Sequence, residues 1–386
     1  MKAKKKILVD GISLLSPFTG VAKYTYENAT RLRNNYAEEY EWFYDYGFHS
    51  QDLIQTQNNK GSIGFLKKIK ATVVSLPFLK LLVREGLSIL SYLSSPQYDL
   101  YWQPNFIPKR VKAKKTIATI HDFSFYIQPS WHPKERLKYY EKNFWKASAT
   151  SDWLITGSNF TKDEILKYME YPKEKITVIH HGVDHNLYKV YDIVKTETTK
   201  NKLKLSDDFL LFVGSIEPRK NLLNLLKAYH CLPQSIKNQY PLVLAGFKGW
   251  ENAEVMNEIE KEKEHIKYLG YLSDEELAHV YNLATVFVYP SLYEGFGIPP
   301  LEAMASGTAV IASDVASLPE ACGEAVLYVN PEKYEDIAEK IMYLLENKEE
   351  RKGLIAKGFI HSAKFTWEKA AKAHMEVFEK VLNDRH

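Results

Sequence analysis

The chain has 386 residues, of which 45% are hydrophobic and 26% charged, and its formal net charge is +3. This length suits two domains, and the composition excludes a largely disordered protein. Two cysteines, Cys231 and Cys322, give no disulfide framework and indicate a reducing compartment. The apolar run after the basic start ends at Asp10, and no run is long enough for a spanning helix, so we expect neither a signal peptide nor a membrane span. We therefore predict a cytoplasmic protein.

Short apolar runs alternate with helical patterns along the chain, which is typical of parallel sheets wrapped by helices. In the first half we predict strands at 6–10, 41–46, 100–103, 116–121, 153–157 and 176–180. In the second half we predict strands at 210–214, 242–245, 266–269, 287–289, 309–312 and 325–329. The sequence therefore predicts an α/β protein with two Rossmann-like domains and a ligand between them, at the carboxyl ends of the strands.

The stretch between Asn186 and Asp208 is polar and charged and has no strand pattern, so we place the domain boundary there. We predict an N-terminal domain at residues 1–190 and a C-terminal domain at residues 205–365. The charge is unequal along the chain. Residues 1–200 carry 30 Lys and Arg against 20 Asp and Glu, and the remainder carries 21 against 28, which leaves net charges of +10 and −7.

The basic excess is densest in residues 60–115, where lysines alternate with apolar residues at helical spacing. One interpretation is a peripheral contact with the anionic inner face of the cell membrane, made by Lys67, Lys68, Lys70, Lys80 and Arg84. The other interpretation is a solvated helix whose apolar face packs on the N-terminal domain, and the pattern favours neither. No nucleic-acid-binding module accompanies the segment, so we expect no nucleic-acid partner.

The most informative stretch is residues 286–319, which reads as a strand, a glycine-bearing loop, a helix started by two prolines, and another strand. Glu294 and Glu302 lie eight positions apart on either side of the loop, and Gly295 and Gly297 allow the backbone to approach a ligand closely. The helix start attracts phosphate or sugar oxygens, and we expect Glu302 in its first turn. Two carboxylates there can accept hydrogen bonds from ligand hydroxyls. The pattern predicts a cradle for a sugar nucleotide.

Two adjacent cations, Arg219 and Lys220, follow the strand predicted at 210–214 and begin a helical pattern. The helix dipole disfavours cations at that position, so another group should compensate for them. A pyrophosphate would do so, with Arg gripping its oxygens bidentately and Lys supplying a point charge. A surface salt bridge, for example with Glu217, is the structural alternative.

Three further positions have polar or backbone chemistry at strand ends and turns. Gly20 lies in a loop before a helix that we expect to open near Ala22, where glycine lets a backbone N–H meet a phosphate. His121 closes a strand, where this fold places catalytic groups, and a histidine can donate to a sugar hydroxyl. We interpret His180 and His181 as a strand end and a turn, because no cysteine or carboxylate cluster supports a metal site beside them.

These segments occur together in one known family. The run E-G-F-G-I-P-P-L-E from Glu294 to Glu302 resembles the signature of the retaining glycosyltransferases of family 4, which have the two-domain GT-B architecture. Residues 20–24, 121–124 and 214–221 agree in the expected order. The chain is thus identified as a member of that family, and the resemblance implies two Rossmann-like domains with parallel sheets facing a central cleft. It also implies that a C-terminal helix, within residues 366–386, crosses back onto the first domain.

The resemblance implies a donor site and a set of roles. The donor-binding residues are expected to be Gly20, Gly214, Tyr271, Ser291, Glu294, Gly295, Phe296, Gly297 and Glu302. Within this set, Glu302 would hold the ribose and Tyr271 would touch the nucleobase. The backbone of Ser291 and that of Tyr293 would line the base or ribose pocket. The catalytic residues are expected to be His121 near the sugar, Arg219 and Lys220 at the diphosphate, and Glu294 at the sugar hydroxyls.

Within the family, residues 121–124, 132–133 and 217–221 look most like bacterial mannosyltransferases that build surface polysaccharide such as lipopolysaccharide O-antigen. We expect transfer of mannose from GDP-mannose, with retention, to a hydroxyl of a glycan or lipid-linked oligosaccharide. The sequence lacks the Asp-x-Asp triplet that holds a cation in the other large glycosyltransferase class, so we expect no metal and no cofactor. The alternatives are a UDP- or dTDP-sugar donor, a GT-B phosphorylase or epimerase, and a non-catalytic partner that docks on a membrane or synthase.

Overall fold

The computed structural model describes residues 3–15, 20–54, 96–249 and 253–384. Its strands, in chain order, are β1 Lys5–Asp10, β2 Tyr40–Asp45, β3 His49–Ser50, β4 Tyr98–Gln103, β5 Ala113–Ile120, β6 Trp153–Thr156, β7 Ile176–Val178, β8 Leu210–Val213, β9 Leu242–Ala245, β10 Ile266–Gly270, β11 Val286–Tyr289, β12 Ala309–Ser313 and β13 Leu327–Val329. Its α-helices are α1 Gly20–Asn35, α2 Ser124–Ile127, α3 Lys134–Ala149, α4 Asn159–Tyr168, α5 Ile193–Leu203, α6 Leu222–His230, α7 Gln234–Gln239, α8 Ala253–Lys261, α9 Asp274–Leu283, α10 Ile298–Ala305, α11 Leu318–Cys322, α12 Tyr334–Glu346, α13 Lys348–Ser362 and α14 Trp367–Asn383.

The strands form two sheets, as the alternation of apolar runs and helical patterns predicts. The first sheet has seven strands in the order β3-β2-β1-β4-β5-β6-β7, and the second has six in the order β10-β9-β8-β11-β12-β13. All pairings are parallel except the short β2–β3 pair. Every strand predicted from the sequence is present, with ends that agree or are shifted by up to three residues. The unpredicted strand is β3, which is too short to show a period. The α/β fold with two Rossmann-like domains is confirmed.

The strand order reverses in the middle of each sheet. In the first sheet β1 lies between β2 and β4, and in the second β8 lies between β9 and β11. Ligands of open parallel sheets bind outside the carboxyl ends of the strands at such reversals. The residues that follow β8 and β11 are the cation pair and the glycine-bearing loop, so this topology brings two distant stretches of sequence to one place.

The chain crosses between the two sheets twice, and the two crossings touch. Val183, after β7, forms an isolated parallel bridge with Thr366, which precedes α14. A Cβ atom at Gly182 would lie 2.2 Å from the backbone nitrogen of Trp367, so the crossings meet backbone to backbone. The final helix then packs on α1, and its Trp367 and Phe378 belong to the core of the first sheet.

The polar stretch between Asn186 and Asp208 has no strand, and it contains the helix α5. This helix packs on α9, and the flanking Tyr188 and Leu205 belong to a core cluster of the second sheet. The apolar side chains of both Rossmann-like units therefore cover both faces of their sheets, as continuous parallel strands require.

Most of the basic segment at 60–115 lies outside the described residues, including Lys67, Lys68, Lys70, Lys80 and Arg84. In its described part, three lysines are paired with acids. Lys109 contacts Asp10 and Asp45, Lys114 contacts Asp99, and Lys115 contacts Asp152. Across the described ranges, no helix is both long and apolar enough to cross a membrane.

We predict that Gly182→Ala destabilises the fold, because the added methyl group has to displace backbone atoms of the second crossing. The expected loss in the free energy of unfolding is about 1–3 kcal/mol, measured by urea denaturation followed by tryptophan fluorescence. Gly353→Ala is the matched control. A Cβ atom at Gly353 meets nothing within 4 Å and the position is inside α13, so that change should stabilise by roughly 0.5–1 kcal/mol. Equal effects of the two changes would contradict the packing argument.

Candidate active site

The carboxylate of Glu294 is the centre of a buried charged cluster in the second domain. Its Oε1 accepts hydrogen bonds from Lys220 Nζ at 2.6 Å and from the Tyr289 hydroxyl at 2.8 Å. Its Oε2 accepts from Arg219 Nη1 at 3.0 Å. Burial opposes ionisation of Glu294, but the charges of Arg219 and Lys220 outweigh it and lower the pKa to about 2. Glu294 is therefore an anion at every physiological pH.

Arg219 lies among three carboxylates. Its Nε and Nη2 donate to Glu217 Oε1 at 3.2 and 3.0 Å, and its Nη1 donates to Glu294 and to the carbonyl oxygen of Tyr293 at 3.4 Å. The same Nη1 lies 3.9 Å from Asp122 Oδ2, which belongs to the first domain. Burial disfavours the charge, but these carboxylates prevail and raise the pKa of Arg219. The salt bridge with Glu217, which the sequence left open, is present and buried.

Each cation of the cluster has one N–H group that no protein acceptor among the described residues uses. A guanidinium has five N–H groups and an ammonium has three. Among the described residues, protein acceptors use four of those of Arg219 and two of those of Lys220. The arrangement offers both an anionic acceptor, Glu294, and cationic donors within one loop pair.

Glu302 is held by a lysine from the other domain. The carboxylate Oε1 accepts from Lys23 Nζ at 2.5 Å, and Oε2 accepts from the Tyr281 hydroxyl at 3.4 Å. Lys23 also donates to the Tyr188 hydroxyl at 3.2 Å. Burial alone would lower the pKa of Lys23, but Glu302 outweighs it and raises the pKa. The expectation that Glu302 lies in the first helical turn is wrong, because α10 begins at Ile298 and Glu302 is its fifth residue.

His121 follows the end of β5 and lies at the domain boundary. Its Nε2 is 2.8 Å from the carbonyl oxygen of Pro104, so this nitrogen carries the proton and donates. Burial lowers the pKa of His121 and keeps the ring neutral, which leaves Nδ1 as an acceptor. The ring can therefore accept a hydrogen bond from a sugar hydroxyl, whereas the sequence led us to expect donation.

The loop that carries Glu294 packs directly on the first domain. A Cβ atom at Gly295 would lie 1.8 Å from the carbonyl oxygen of His121, so no side chain fits there. Gly297 has a φ of +117°, a conformation that other residues rarely adopt. Gly295 is thus needed for contact between the domains, and it brings His121 beside the carboxylate cluster.

The side chain of Phe296 also faces the first domain. Its ring lies 5.4 Å from that of His180 and 5.1 Å from that of His181, between ring centroids. His180 in turn lies 2.7 Å from the carboxylate of Glu320 in the second domain. The two histidines serve contacts between the domains. In the described part of the chain, no group of three or more His, Cys, Asp or Glu side chains is placed to hold a metal ion.

Two predicted donor-binding residues adjoin the cluster. A Cβ atom at Gly214 would lie 3.7 Å from Lys220 Cδ, which places this glycine beside the cation pair. Ser291, in the loop after β11, is fully buried. Both positions follow the carboxyl ends of the strands that flank the reversal in the second sheet.

Two other predicted donor-binding residues lie at the start of α1 and after β10. Gly20 is the first residue of α1, earlier than the expected opening at Ala22, and a Cβ atom there would meet nothing within 4 Å among the described residues. Packing therefore does not explain this glycine. Tyr271 follows the edge strand β10 and is 43% exposed, stacked on Phe247 with ring centroids 4.3 Å apart.

Three residues that complete the cluster were not assigned from the sequence: Lys23, Glu217 as a buried partner, and Tyr289. Lys23 lies in the first turn of α1, where the helix dipole disfavours a cation. The same argument that singled out Arg219 and Lys220 would have found it. Nothing in the sequence pointed to a functional role for Tyr289, because a tyrosine inside an apolar strand is typical of the hydrophobic core.

The two facing Rossmann-like units and the charged cluster at the sheet reversal define a glycosyltransferase of the GT-B class. Residues 18–187 match the model "Glycosyltransferase Family 4", and residues 194–361 match the model "Glycosyl transferases group 1". The chain is 32% identical over 365 residues to the O-antigen chain mannosyltransferase B of Escherichia coli, covering 91% of this chain and 93% of that protein. It therefore belongs to the glycosyltransferase family that contains this enzyme.

Other similar proteins agree with this assignment. Over 237 residues the chain is 32% identical to the serotype-specific mannosyltransferase WbdA of Escherichia coli, covering 60% of this chain and 29% of that longer one. Two solved structures share the fold. Anabaena Alr3699/HepE in complex with UDP-glucose superposes with a TM-score of 0.70 at 17% identity, over 97% of this chain and 99% of that one. WaaG, a glycosyltransferase involved in lipopolysaccharide biosynthesis, gives 0.69 at 14% identity, over 96% and 99%.

We predict that Lys23→Met separates the two domains. The change leaves the carboxylate of Glu302 buried without its cation, which costs about 3–5 kcal/mol unless water reaches it. Small-angle X-ray scattering should show a larger radius of gyration than for the unaltered protein. Lys202→Met is the matched control, since the Lys202–Glu276 pair is 2.7 Å long, close to the 2.5 Å of Lys23–Glu302, but its lysine is exposed. An unchanged radius for Lys23→Met with unchanged stability would contradict the prediction.

Proposed function

We propose that this glycosyltransferase moves mannose from GDP-mannose to a hydroxyl of a growing surface glycan or lipid-linked oligosaccharide. In this proposal the anomeric configuration is retained and no metal takes part. The relatives support mannose, because three of them are named mannosyltransferases, and two of those names include the O-antigen chain. We further propose that the enzyme works at the cytoplasmic side of the membrane that carries such an acceptor.

The observation that carries the proposal is the mixed charge of the cluster. Arg219 and Lys220 are cations, but Glu217, Glu294 and Asp122 surround them, so a simple anion would find an excess of negative charge. A sugar nucleotide matches a mixed site, since its diphosphate accepts hydrogen bonds and its sugar hydroxyls donate them. The spare N–H group of each cation suits a phosphate oxygen, and the carboxylate of Glu294 suits a sugar hydroxyl.

The reaction that fits this arrangement is a displacement on one face of the sugar. The acceptor oxygen bonds to the anomeric carbon while the bond from that carbon to the diphosphate oxygen breaks. The acceptor proton passes to the departing phosphate oxygen. Glu294 is a poor candidate for a covalent nucleophile, because its two oxygens accept three hydrogen bonds from Lys220, Tyr289 and Arg219. Its role in the proposal is to hold sugar hydroxyls.

Stabilisation of the leaving group is assigned to Arg219, Lys220 and the start of α10. Side-chain cations and the positive end of a helix dipole stabilise a departing phosphate in the way that a metal ion does in other enzymes. The second carboxylate, Glu302, is proposed to bind the ribose hydroxyls. Lys23 then has to exchange its bond with Glu302 for one with the nucleotide or with water.

The donor is tested by mixing the purified chain with GDP-, UDP- and dTDP-sugars and a mannosylated acceptor, with and without EDTA. We expect turnover with GDP-mannose, no effect of EDTA, and an α-linked product by NMR from the α-linked donor. Glu294→Ala should abolish turnover. Glu258→Ala, at an exposed ion pair on α8, is the matched control and should retain it. Turnover with another nucleotide sugar, or inhibition by EDTA, would overturn the corresponding part of the proposal.

We predict that Arg219→Lys lowers kcat by about 10²–10³-fold, because one ammonium cannot keep the contacts with Glu217 and Glu294 and still meet a phosphate oxygen. Steady-state kinetics with the accepted donor measure the effect. Arg351→Lys tests for a general effect of this exchange, since Arg351 donates only to the Leu344 carbonyl within the second domain in the described structure. Similar kcat values for the two variants would show that Arg219 takes no part in the reaction.

A further inference from the structure

The start of helix α4, in the first domain, is bound by residues of the second domain. The carboxylate of Glu320 accepts the backbone N–H groups of Asn159 and Phe160, at 2.9 and 3.2 Å, at the start of this helix. The hydroxyl of Ser158, which caps the helix, donates to the carbonyl oxygen of Gly295 at 2.8 Å. Two separate parts of the second domain thus dock on one helix end.

The side chain of Tyr293, in the second domain, contacts the first domain. Its hydroxyl accepts the backbone N–H of Phe123 at 3.0 Å and donates to Glu164 Oε2, on α4, at 2.5 Å. Its ring lies 5.8 Å from that of Phe160 and 6.4 Å from that of Trp131, between centroids. Tyr293 is only 6% exposed, so its side chain is enclosed by the first domain although its backbone belongs to the second.

The residue next to Tyr293 is Glu294, the centre of the cluster. The backbone on both sides of Glu294 is therefore tied to the first domain, by the phenol of Tyr293 and by the carbonyl of Gly295. The second domain holds the same loop through Arg219, which donates to the Tyr293 carbonyl, and through the Leu292 N–H, which donates to the Arg219 carbonyl at 2.9 Å. The loop is fixed from two sides only while the domains are together.

We propose that Tyr293 couples closure of the two domains to the placement of Glu294, and that its partner Glu164 makes this closure depend on pH. Tyr293 is a positioning residue, since it acts through Glu294. The coupling to catalysis rests on the function proposed above, whereas the closure itself does not.

The surroundings of Glu164 give the direction of the pH effect. The groups that face it are the Tyr293 phenol from the second domain, Asp122 after β5, and Lys167 on its own helix. Burial, with a contribution from Asp122, overcomes the Tyr293 hydrogen bond and Lys167 and raises the pKa of Glu164 to about 7. When the domains separate, Tyr293 leaves and water reaches the carboxyl group, whose ordinary pKa is 4.5.

The closed state consequently holds a proton that the open state releases. Because the pKa is raised in the closed state, the contribution to closure is fully present below the ordinary pKa and is lost as the pH rises through about 7. The ratio of closed to open protein should fall on the order of tenfold between pH 6 and pH 8.

The test measures the distance between the domains without any donor. Spin labels at Lys142→Cys on α3 and Lys352→Cys on α13 report it in a Cys231→Ser background, because Cys322 is buried. In the otherwise unaltered chain the closed fraction should fall from pH 6 to pH 8. Glu164→Gln mimics the protonated acid, so it should stay closed at pH 8 and lose the pH response.

Tyr293→Phe removes the hydroxyl and should lower the closed fraction at every pH by about tenfold. It should also lower kcat more than it raises the KM for the donor, since it loosens Glu294. Tyr328→Phe is the matched control, because that hydroxyl donates to the Gly323 carbonyl within the second domain, and its distances and pH profile should not change.

The proposal would be overturned if both variants, Glu164→Gln and Tyr293→Phe, had the same closed fractions as the unaltered chain at pH 6 and pH 8. So would a retained pH response in Glu164→Gln. Normal distance changes in a protein that turns over none of the nucleotide sugars would refute the proposed function and leave the closure mechanism standing. Normal turnover with no change in distance would refute the closure mechanism and leave the proposed function standing.

Discussion

The closed arrangement depends on pairing buried charges across the two domains. A single buried charge costs several kcal/mol unless a partner or a ligand meets it. Lys23 of the first domain is paired with Glu302 of the second, and Arg219 of the second lies near Asp122 of the first. Opening the cleft exposes these groups to water. In the proposed function some of the same charges also bind the donor, so closure of the domains and donor binding depend on each other.

Close contact of backbones is the second constraint, and it explains Gly295, which we first attributed to a ligand, together with Gly182 and Gly246, which were not predicted ligand contacts. Gly295 has no room for a side chain because the carbonyl of His121 is against it, and Gly182 has none because the start of α14 is against it. Gly246, with a φ of +143°, lies against the carbonyl of Gly214. Of the predicted glycines, Gly20 is the one that packing among the described residues leaves unexplained, so its contact with a ligand stays a prediction.

The sequence predicted the strands and both sheets because these depend on short-range patterns. Apolar runs of four to six residues mark parallel strands, and prolines with glycines mark the start of α10. Contacts between distant residues could not be read in this way. The Lys23–Glu302 pair joins positions 279 residues apart, and the Tyr293–Glu164 pair joins positions 129 apart. Neither period nor composition indicates such partners. The tautomer of His121 likewise depends on Pro104, which only the folded chain brings near.

The location of Tyr293 links these constraints to the reaction. The loop stays with the second domain when the cleft opens, because Arg219 binds its backbone there, but it loses the hydrogen bonds to Phe123, Glu164 and Ser158. Its backbone then gains freedom, and an error of about 1 Å in a catalytic group can cost on the order of a hundredfold in rate. Under the proposed function, an open enzyme with a loosely held Glu294 would hydrolyse little donor. Accurate placement of the carboxylate would then coincide with exclusion of water, which favours transfer to the acceptor.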